Sequence, residues 1–382
     1  MRRNKLTIIL LLAILFLVSI DVQAESDYKG ELWNLLNYLR VKQAIIRYKN
    51  IEHLGGWPSL PYNLILRKGD VAEEVTILKK RLYMTGDLLF YSDDNKLFDD
   101  SLEKALKAFQ HRHGLLEDGV LGPETIEELN IPVSKRIKQL EVNKEKIYTL
   151  FDDYVDRYIL VNIPDYKLQV IEDGEELLKM KVIIGKKYSK TPIFADQVEY
   201  LVLNPTWRIP INKVVRDIIP LIKGNSQYLE NKNIKVFSSW DDNAEELIPN
   251  KIDWDKYNVS NFDLMLEQES GPDNELGQVK FMFPNDYLVY IHDTPDKELF
   301  KYNNRSFSSG CIRVERPFEL ALYCLKDLPG WNWEKIMQVI NDGEQRHIDL
   351  PEPIPVVIVY WTAWVDEENN VHFRKDIYDY NK

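Results

Sequence analysis

Apolar residues recur at helical spacing along the first third of the chain. Between Lys29 and Tyr48 they repeat every three or four positions, which predicts one or two amphipathic helices in an N-terminal segment spanning 25–60. The glycines and prolines of Gly55–Pro61 end this pattern, because neither residue readily continues a helix. Further helical patterns follow, and we assign them to a compact three-helix module over 61–132.

The helices of this module carry recognisable start signals. Asp70 with Glu73, and Asp100 with Glu103, match the capping-box pattern ahead of the first two helices. Pro123 stands at the first helical position of the third, where proline is tolerated. We therefore predict helices over Val71–Met84, Leu102–His113 and Pro123–Leu129, followed by a connecting helix within 133–155.

The hydrophobic pattern changes from helices to strands near residue 156. The runs Tyr158–Ile163, Lys167–Ile171 and Leu178–Ile184 are rich in residues that favour strands. Asp173-Gly174 lies between the last two runs and predicts a tight hairpin. We assign a mainly β domain to residues 156–345, so the whole chain is predicted to be an α+β multidomain protein.

Helical patterns interrupt this β domain within residues 211–272. The clearest of them is Val214–Ile222, and a polar stretch follows it. An insertion of this length exceeds what a connection normally needs, which favours a functional lid. We predict a helical lid, with a solvated surface excursion as the alternative.

The last part of the chain, 346–382, is predicted to be a hairpin tail. Pro351–Pro355 is interpreted as a rigid extended link. Val356–Val365 and Val371–Tyr378 are the two arms, and they are too apolar to remain in solvent. We expect the tail to pack back on the protein, with the N-terminal helices as the candidate surface.

The first residues resemble an export signal. Met1–Lys5 is basic, Leu6–Ile20 is continuously apolar, and Ala24 ends a small-residue pattern typical of a cleavage site. The apolar run is shorter than the roughly 20 residues of a spanning helix. We predict a signal peptide over 1–24 and an exported protein, with an uncleaved anchor as the alternative.

Composition restricts the classes of partner and cofactor. The formal charge is −12, from 49 basic and 61 acidic side chains, which argues against nucleic acid as a partner. Two cysteines are too few for a disulfide framework. The six histidines are scattered without ligand spacing, so we predict no metal and no cofactor.

A nucleophile and a base occur close together late in the chain. Cys311 offers a thiol and His292 an imidazole that can remove its proton, while Arg313 is a cation able to stabilise the thiolate. Asp293 can orient the imidazole through its backbone carbonyl or its side chain. Gly310 permits a sharp turn that aims backbone N–H groups at a developing oxyanion. This set predicts acyl transfer through a thioester.

Structural roles are the alternative for each of these residues. Cys311 can be an inert buried thiol, or can form a disulfide with Cys324, which otherwise lies in an apolar helical pattern and is interpreted as a core residue. His292 ends an apolar run and can be structural there. Arg313 can simply pair with Glu315.

These residues resemble the signature of a known enzyme family. His292-Asp-Thr-Pro295 followed by Ser308-Ser-Gly-Cys-Ile-Arg313 is similar to the signature of L,D-transpeptidases with a YkuD-type catalytic domain. Residues 64–131 resemble the peptidoglycan-binding type 1 domain, and Gly55-Gly-Trp-Pro58 is similar to a stretch in large periplasmic members. The resemblance implies a three-helix wall-binding module and a mainly β catalytic domain with a lid.

The resemblance also implies roles for individual residues. Cys311 would be the nucleophile, His292 the general base with Asp293 orienting it, and Gly310 and Ser309 backbone groups at the oxyanion site. Many members have histidine where Ser309 stands, so any role of a second imidazole is absent here. The residues assigned to substrate binding are Arg313, Tyr290, Trp207 and Thr294.

The implied activity is 3→3 cross-linking of peptidoglycan. The cysteine would attack a tetrapeptide stem, release D-alanine and pass the acyl group to the amine of another stem. Peptidoglycan stem peptides are thus the expected partners, other cell-wall synthesis proteins are further candidates, and the location is the periplasm or cell envelope. Carbapenems are expected to acylate Cys311. An L,D-carboxypeptidase of the same fold and a catalytically silent wall-binding scaffold are the alternatives.

Overall fold

The structure is a computed structural model that describes residues 22–148 and 156–381. Of these, the residues up to Asp156, Asn162–Asp165 and those from Tyr360 onward form one compact unit. Arg157–Val161 and Tyr166–Val359 form the second unit. Most of the predicted signal peptide, residues 1–21, lies outside the described residues. Within the described ranges, no helix is both long and apolar enough to cross a membrane.

The first unit is built from helices. The N-terminal pattern forms one continuous helix, and the three helices of the predicted module surround an apolar core that includes Leu78, Leu102, Phe109 and Ile126. The helix after the module was also predicted. Their bounds are α1 Val22–His53, α2 Glu73–Thr85, α3 Asp100–Arg112, α4 Pro123–Leu129 and α5 Val133–Tyr148.

Two helix starts differ from the predicted caps. A β-bridge between Val71 and Leu97 keeps the chain extended, so α2 begins only after Ala72, and the carboxylate of Asp70 accepts instead from the N–H of Arg67 at 2.9 Å. The cap of α3 is Asp99, one residue before the predicted position. Its side chain accepts from the backbone N–H of Leu102. Proline opens α4 as predicted.

A nine-stranded sheet dominates the second unit. Its order is β11-β3-β12-β10-β9-β4-β13-β1-β2, and an additional pairing of β2 with β3 closes it into a barrel. Helix α9 (Pro317–Cys324) contains the apolar helical pattern around Cys324, and a further helix, α10 (Trp333–Asp342), follows it. The strands are β1 Arg157–Asn162, β2 Lys167–Glu172, β3 Glu175–Gly185, β4 Phe194–Leu203, β9 Val279–Met282, β10 Ile291–His292, β11 Ser306–Ser308, β12 Ile312–Val314 and β13 Arg346–Val359.

The insertion is a small subdomain with more strand than predicted. Its sheet has the order β5-β8-β6-β7, and the sequence pattern did not reveal it because these strands have only two to four residues. Its own core includes Ile218, Leu229, Val236, Trp254 and Leu266. The elements are β5 Trp207–Arg208, α6 Ile211–Lys213, a π-helical turn Val214–Ile218, α7 Ile219–Gly224, α8 Tyr228–Asn231, β6 Ile234–Phe237, β7 Glu246–Leu247 and β8 Met265–Gln268.

The predicted tail divides between the two units. Residues 346–359 are not a tail or a link, because they form β13, which pairs with β4. Pro351 and Pro353 fall where its register shifts, between Asp349 and Ile354, and Pro355 lies opposite Gln197. The hairpin proper joins Ala363–Val365 to Val371–Phe373 in the first unit. It packs on the helices there: the amide of Gln139 on α5 donates to the carbonyls of Thr362 and Arg374 at 2.8 and 2.9 Å.

Candidate active site

Three neighbouring strands align charged side chains on one face of the sheet. His292 in β10 lies opposite Lys280 in the antiparallel strand β9 and opposite Arg313 in the parallel strand β12. Residues paired in this way project to the same side, so the three side chains form a row. The alternate residues are fully buried on the other face, which fixes the register: Phe281, Ile291 and Ile312.

The same register brings the thiol into this row. Cys311 directly precedes β12 and Tyr290 directly precedes β10, and the N–H of Ile312 donates to the carbonyl of Tyr290 at 3.0 Å. Cys311 is half-buried and free. Cys324 is also free and only 3% exposed, so the disulfide is not formed and Cys324 is a core residue, as predicted.

Two hydroxyl groups hold the backbone before the thiol. Ser308 Oγ donates to the carbonyl of Cys311 at 2.6 Å and accepts from the N–H of Gly310 at 3.1 Å. Thr191 Oγ1 donates to the carbonyl of Gly310 at 2.8 Å and accepts from the N–H of Gly185 at 2.9 Å. Gly310 has φ 125°, a conformation that residues with a side chain rarely adopt.

This arrangement changes the predicted oxyanion donors. The N–H of Gly310 is already bonded to Ser308, so it is not available, contrary to the prediction. Among the described residues, no partner is found for the N–H of Ser309 or Cys311. Ser309 is exposed and lines the cleft, so these two N–H groups are the candidate donors.

The imidazole of His292 is buried and neutral. Burial, followed by the positive charge of Arg313, lowers its pKa to about 3, while the backbone of Asp293 and Leu276 acts weakly in the opposite direction. Its Nδ1 is buried and has no hydrogen-bond partner in the described part of the chain. The ring is therefore unprotonated near neutral pH, with a lone pair on one of its two nitrogens.

The carboxylate of Asp293 does not orient this ring. It accepts hydrogen bonds from the backbone N–H groups of Gln278 at 2.9 Å and Thr294 at 2.7 Å, and it pairs with Lys297. Asp293 affects the pKa of His292 through a backbone hydrogen bond and not through its carboxylate. The sequence predicted that either the backbone carbonyl or the side chain of Asp293 orients the imidazole. The side-chain prediction is wrong, because the carboxylate is bonded to other groups.

The row opens into a cleft of about 810 Å³. Tyr290 lines it with its ring 5.5 Å from the ring of His292, and Trp207 of β5 brings the insertion to the cleft wall. Thr294 was predicted to bind substrate, but it is fully buried away from the lining, and its Oγ1 accepts from the N–H of Asp296 at 3.2 Å. That assignment is wrong: its hydroxyl caps a turn.

Arg313 lines the cleft but is already paired. Its Nη1 lies 3.1 Å from Asp296 Oδ2 and its Nη2 3.8 Å from Glu275 Oε2. The alternative partner considered from sequence, Glu315, is instead near Lys181 at 3.8 Å. The guanidinium is therefore a fixed positive charge beside His292.

The thiol and imidazole rest as a neutral pair. Burial raises the pKa of the Cys311 thiol above its usual value, although the backbone and hydroxyl of Tyr290 and the charges of Lys280 and Arg313 partly oppose this. With the pKa of His292 lowered, neither group is ionised near pH 7.

We expect the rate at which iodoacetamide alkylates Cys311 to depend on pH as it does for a neutral thiol. A thiol with a raised pKa gains thiolate as pH rises, so the rate should increase about tenfold per pH unit from pH 6 to 9. His292 stays neutral over this range. Mass spectrometry of the adduct against pH measures this profile. A plateau between pH 5 and 7 would instead indicate a preformed thiolate–imidazolium pair.

Sequence reasoning missed three residues of this site. Lys280 was detectable in principle, because a single lysine interrupts the apolar alternation of β9. The role of Ser308 and Thr191 in holding the loop could not be predicted from neighbouring residues. The carbonyl groups that they bind are brought to them only by the folded backbone. Within the described residues, no group of three His, Cys, Asp or Glu side chains is placed to hold a metal ion.

Comparison with known families agrees with this geometry. Residues 156–342 match YkuD, the L,D-transpeptidase catalytic domain, and residues 71–129 match PG_binding_1, a "Putative peptidoglycan binding domain". The chain therefore carries a catalytic domain of the YkuD L,D-transpeptidase family together with a peptidoglycan-binding domain.

One similar curated protein comes from Haemophilus influenzae. It is named "Putative L,D-transpeptidase" and is 32% identical over 295 residues. The match covers 74% of this chain, and the chain spans 58% of that relative's length.

Solved structures of L,D-transpeptidases are also similar. One from Xylanimonas cellulosilytica is 15% identical, with 79% of this chain and 100% of that chain covered and a TM-score of 0.25. Another from Stackebrandtia nassauensis is 13% identical, with 79% and 97% covered and a TM-score of 0.30.

Proposed function

We propose that this protein forms 3→3 cross-links between peptidoglycan stems through a thioester on Cys311. The observation that carries the proposal is the placement of Cys311 and His292 on adjoining strands of one cleft. Within the described part of the chain, two N–H groups in the same loop as the thiol have no hydrogen-bond partner. A thiol, a neutral base and oxyanion donors are the parts that acyl transfer requires.

The first step forms the acyl-enzyme. Cys311 Sγ attacks the carbonyl of the third stem residue while the thiol proton passes to His292, and the N–H groups of Ser309 and Cys311 bind the oxyanion. The C–N bond to D-alanine then breaks. The proton on His292 goes to the leaving nitrogen, and D-alanine departs with its amino group intact.

The second step transfers the acyl group. The amine on the third residue of another stem attacks the thioester carbonyl and gives a proton to His292. The C–S bond breaks, and the sulfur takes back this proton. His292 and Cys311 return to their neutral state, ready for the next donor.

The remaining parts of the chain support this role. The insertion contributes Trp207 and Arg208 to the cleft wall, and we propose that it acts as a lid that excludes water from the thioester. The helical module in the first unit would bind the peptidoglycan chain whose stems are being cross-linked. Export to the periplasm or cell envelope, where this substrate lies, completes the proposal, and carbapenems are proposed to acylate the same thiol.

Product analysis tests the proposal. Disaccharide-tetrapeptides are incubated with the protein and with the Cys311→Ala variant as a blank, and the products are identified by mass spectrometry. A dimer with loss of D-alanine, formed by the unaltered protein alone, is the expected result. Tripeptide without dimer would identify a carboxypeptidase. No product from a protein whose Cys311 reacts with iodoacetamide would favour a wall-binding scaffold.

A further inference from the structure

The cleft contains four cationic side chains, and three of them face carboxylates. An ion pair within the protein neutralises such a cation and leaves little attraction for a ligand. The three paired cations are Arg208, 3.0 Å from Glu267; Lys213, 3.7 Å from Asp217; and Arg313, 3.1 Å from Asp296.

Lys280 is the exception among the described cations of the cleft. No carboxylate of the described chain lies within 4.0 Å of its ammonium group, and its Nζ instead lies 4.1 Å from the ring centroid of Tyr290. The aromatic face holds the ammonium group in place without neutralising it. A partly buried cation loses hydration, which an anionic ligand can replace.

The Cys311 thiol does not neutralise the charge of Lys280. Lys280 is close enough to Cys311 for each to influence the pKa of the other, but burial raises the pKa of the thiol and keeps it neutral at rest. The carboxylates that line the cleft, Glu267 and Glu275, lie near Arg208 and Arg313. The positive charge of Lys280 is therefore open to substrate.

We propose that Lys280 binds the free carboxylate of the residue that leaves the donor peptide, so that the site selects stems ending one residue after the scissile bond. In a tetrapeptide, that carboxylate is separated from the scissile carbonyl by only the nitrogen and Cα, roughly 3–4 Å. A lysine on the strand beside His292 can reach this position. The role rests on the proposed function, because it presumes a peptide donor.

A pair of small alkylating reagents tests the charge preference without any peptide. Iodoacetate and iodoacetamide both form an S–C bond to Cys311 and release iodide, with the thiol proton passing to His292 or solvent. They differ mainly in charge. At low ionic strength, the rate with iodoacetate divided by the rate with iodoacetamide should be roughly tenfold lower in Lys280→Gln than in the unaltered protein. In Lys280→Arg this ratio should be unchanged.

Controls separate this role from structural damage. Lys179→Gln removes an exposed lysine of the same unit that pairs with Glu176, and it should leave the ratio unchanged. Lys280→Met is a second uncharged variant, and thermal unfolding of each variant checks the fold. Both rates falling by the same factor, with the ratio constant, would show that Lys280 acts only on the thiol and would overturn the proposal.

Donor peptides then test the substrate itself. Tetrapeptides ending in a carboxylate or a carboxamide are compared as donors, and the unaltered protein should prefer the carboxylate roughly tenfold, mainly through KM, while Lys280→Gln should not. Equal use of both donors by the unaltered protein would overturn the proposal. The protein could instead prefer iodoacetate in a way that depends on Lys280 and yet show no activity on peptides. That result would show that the carboxylate site exists and that the proposed function is wrong.

Discussion

The Cys311→Ala variant is expected to form no cross-linked dimer, no tripeptide and no alkyl adduct at residue 311. Its rate should fall by at least about 10³-fold, because the acyl group has no covalent carrier and His292 has no thiol to deprotonate. The fold should be little affected, since Cys311 is half-buried and its thiol forms no disulfide. Product formation by mass spectrometry measures the loss.

Cys324→Ala is the matched control for this substitution. Cys324 is 3% exposed on helix α9, and burial raises its pKa to about 12, so it is not a reactive thiol. The variant should keep its full rate at Cys311 and lose only some stability. Residual cross-linking by Cys311→Ala, or its loss in Cys324→Ala, would contradict the assignment of the nucleophile.

Arg374→Met is expected to destabilise the first unit by about 3–5 kcal/mol. Arg374 Nε lies 2.6 Å from Asp165 Oδ1, and the two side chains are only 5% and 7% exposed. The guanidinium also donates to the carbonyls of Arg112 and Phe373 at 2.8 and 2.7 Å. Methionine fills similar volume but removes the positive charge that pairs with the buried carboxylate.

Calorimetry can measure this effect as a fall of roughly 6–20 °C in the unfolding temperature of the first unit. The neighbouring pair of Lys375 and Glu127 provides the control, because its side chains are 53% and 63% exposed. Lys375→Met should cost less than about 1 kcal/mol. Adding Asp165→Asn to Arg374→Met should recover part of the stability. Similar losses from Arg374→Met and Lys375→Met would show that the buried pair is not a main source of stability.

The sequence predicted those features that depend on neighbouring residues. Proline at position 123 and the apolar spacing around it define α4, and Asp173-Gly174 forms the predicted tight turn between β2 and β3. The motif around Cys311 identified the family, which the catalytic-domain match supports. In each case the signal lies within a few positions of the residue it describes.

Features that depend on distant parts of the chain were not predictable in this way. The N–H of Gly310 is taken by Ser308 only because the loop turns back on itself, and the carbonyl of Gly310 is held by Thr191, 119 residues away. The insertion's sheet pairs strands of two to four residues, too short for a periodic pattern. The placement of β13 was missed because prolines suggested a link, whereas the strand accommodates Pro351 and Pro353 at a register shift.

The C-terminal hairpin makes the first unit discontinuous along the chain. Arg112 donates to the carbonyl of Val371, 259 residues away, so helices that are synthesised early are completed by residues that are synthesised much later. At roughly 5–20 residues per second, the stretch between α5 and the hairpin takes on the order of 10–40 s to synthesise. During that time the surface that receives the hairpin is uncovered, which makes it a natural substrate for a chaperone while the chain is still being produced.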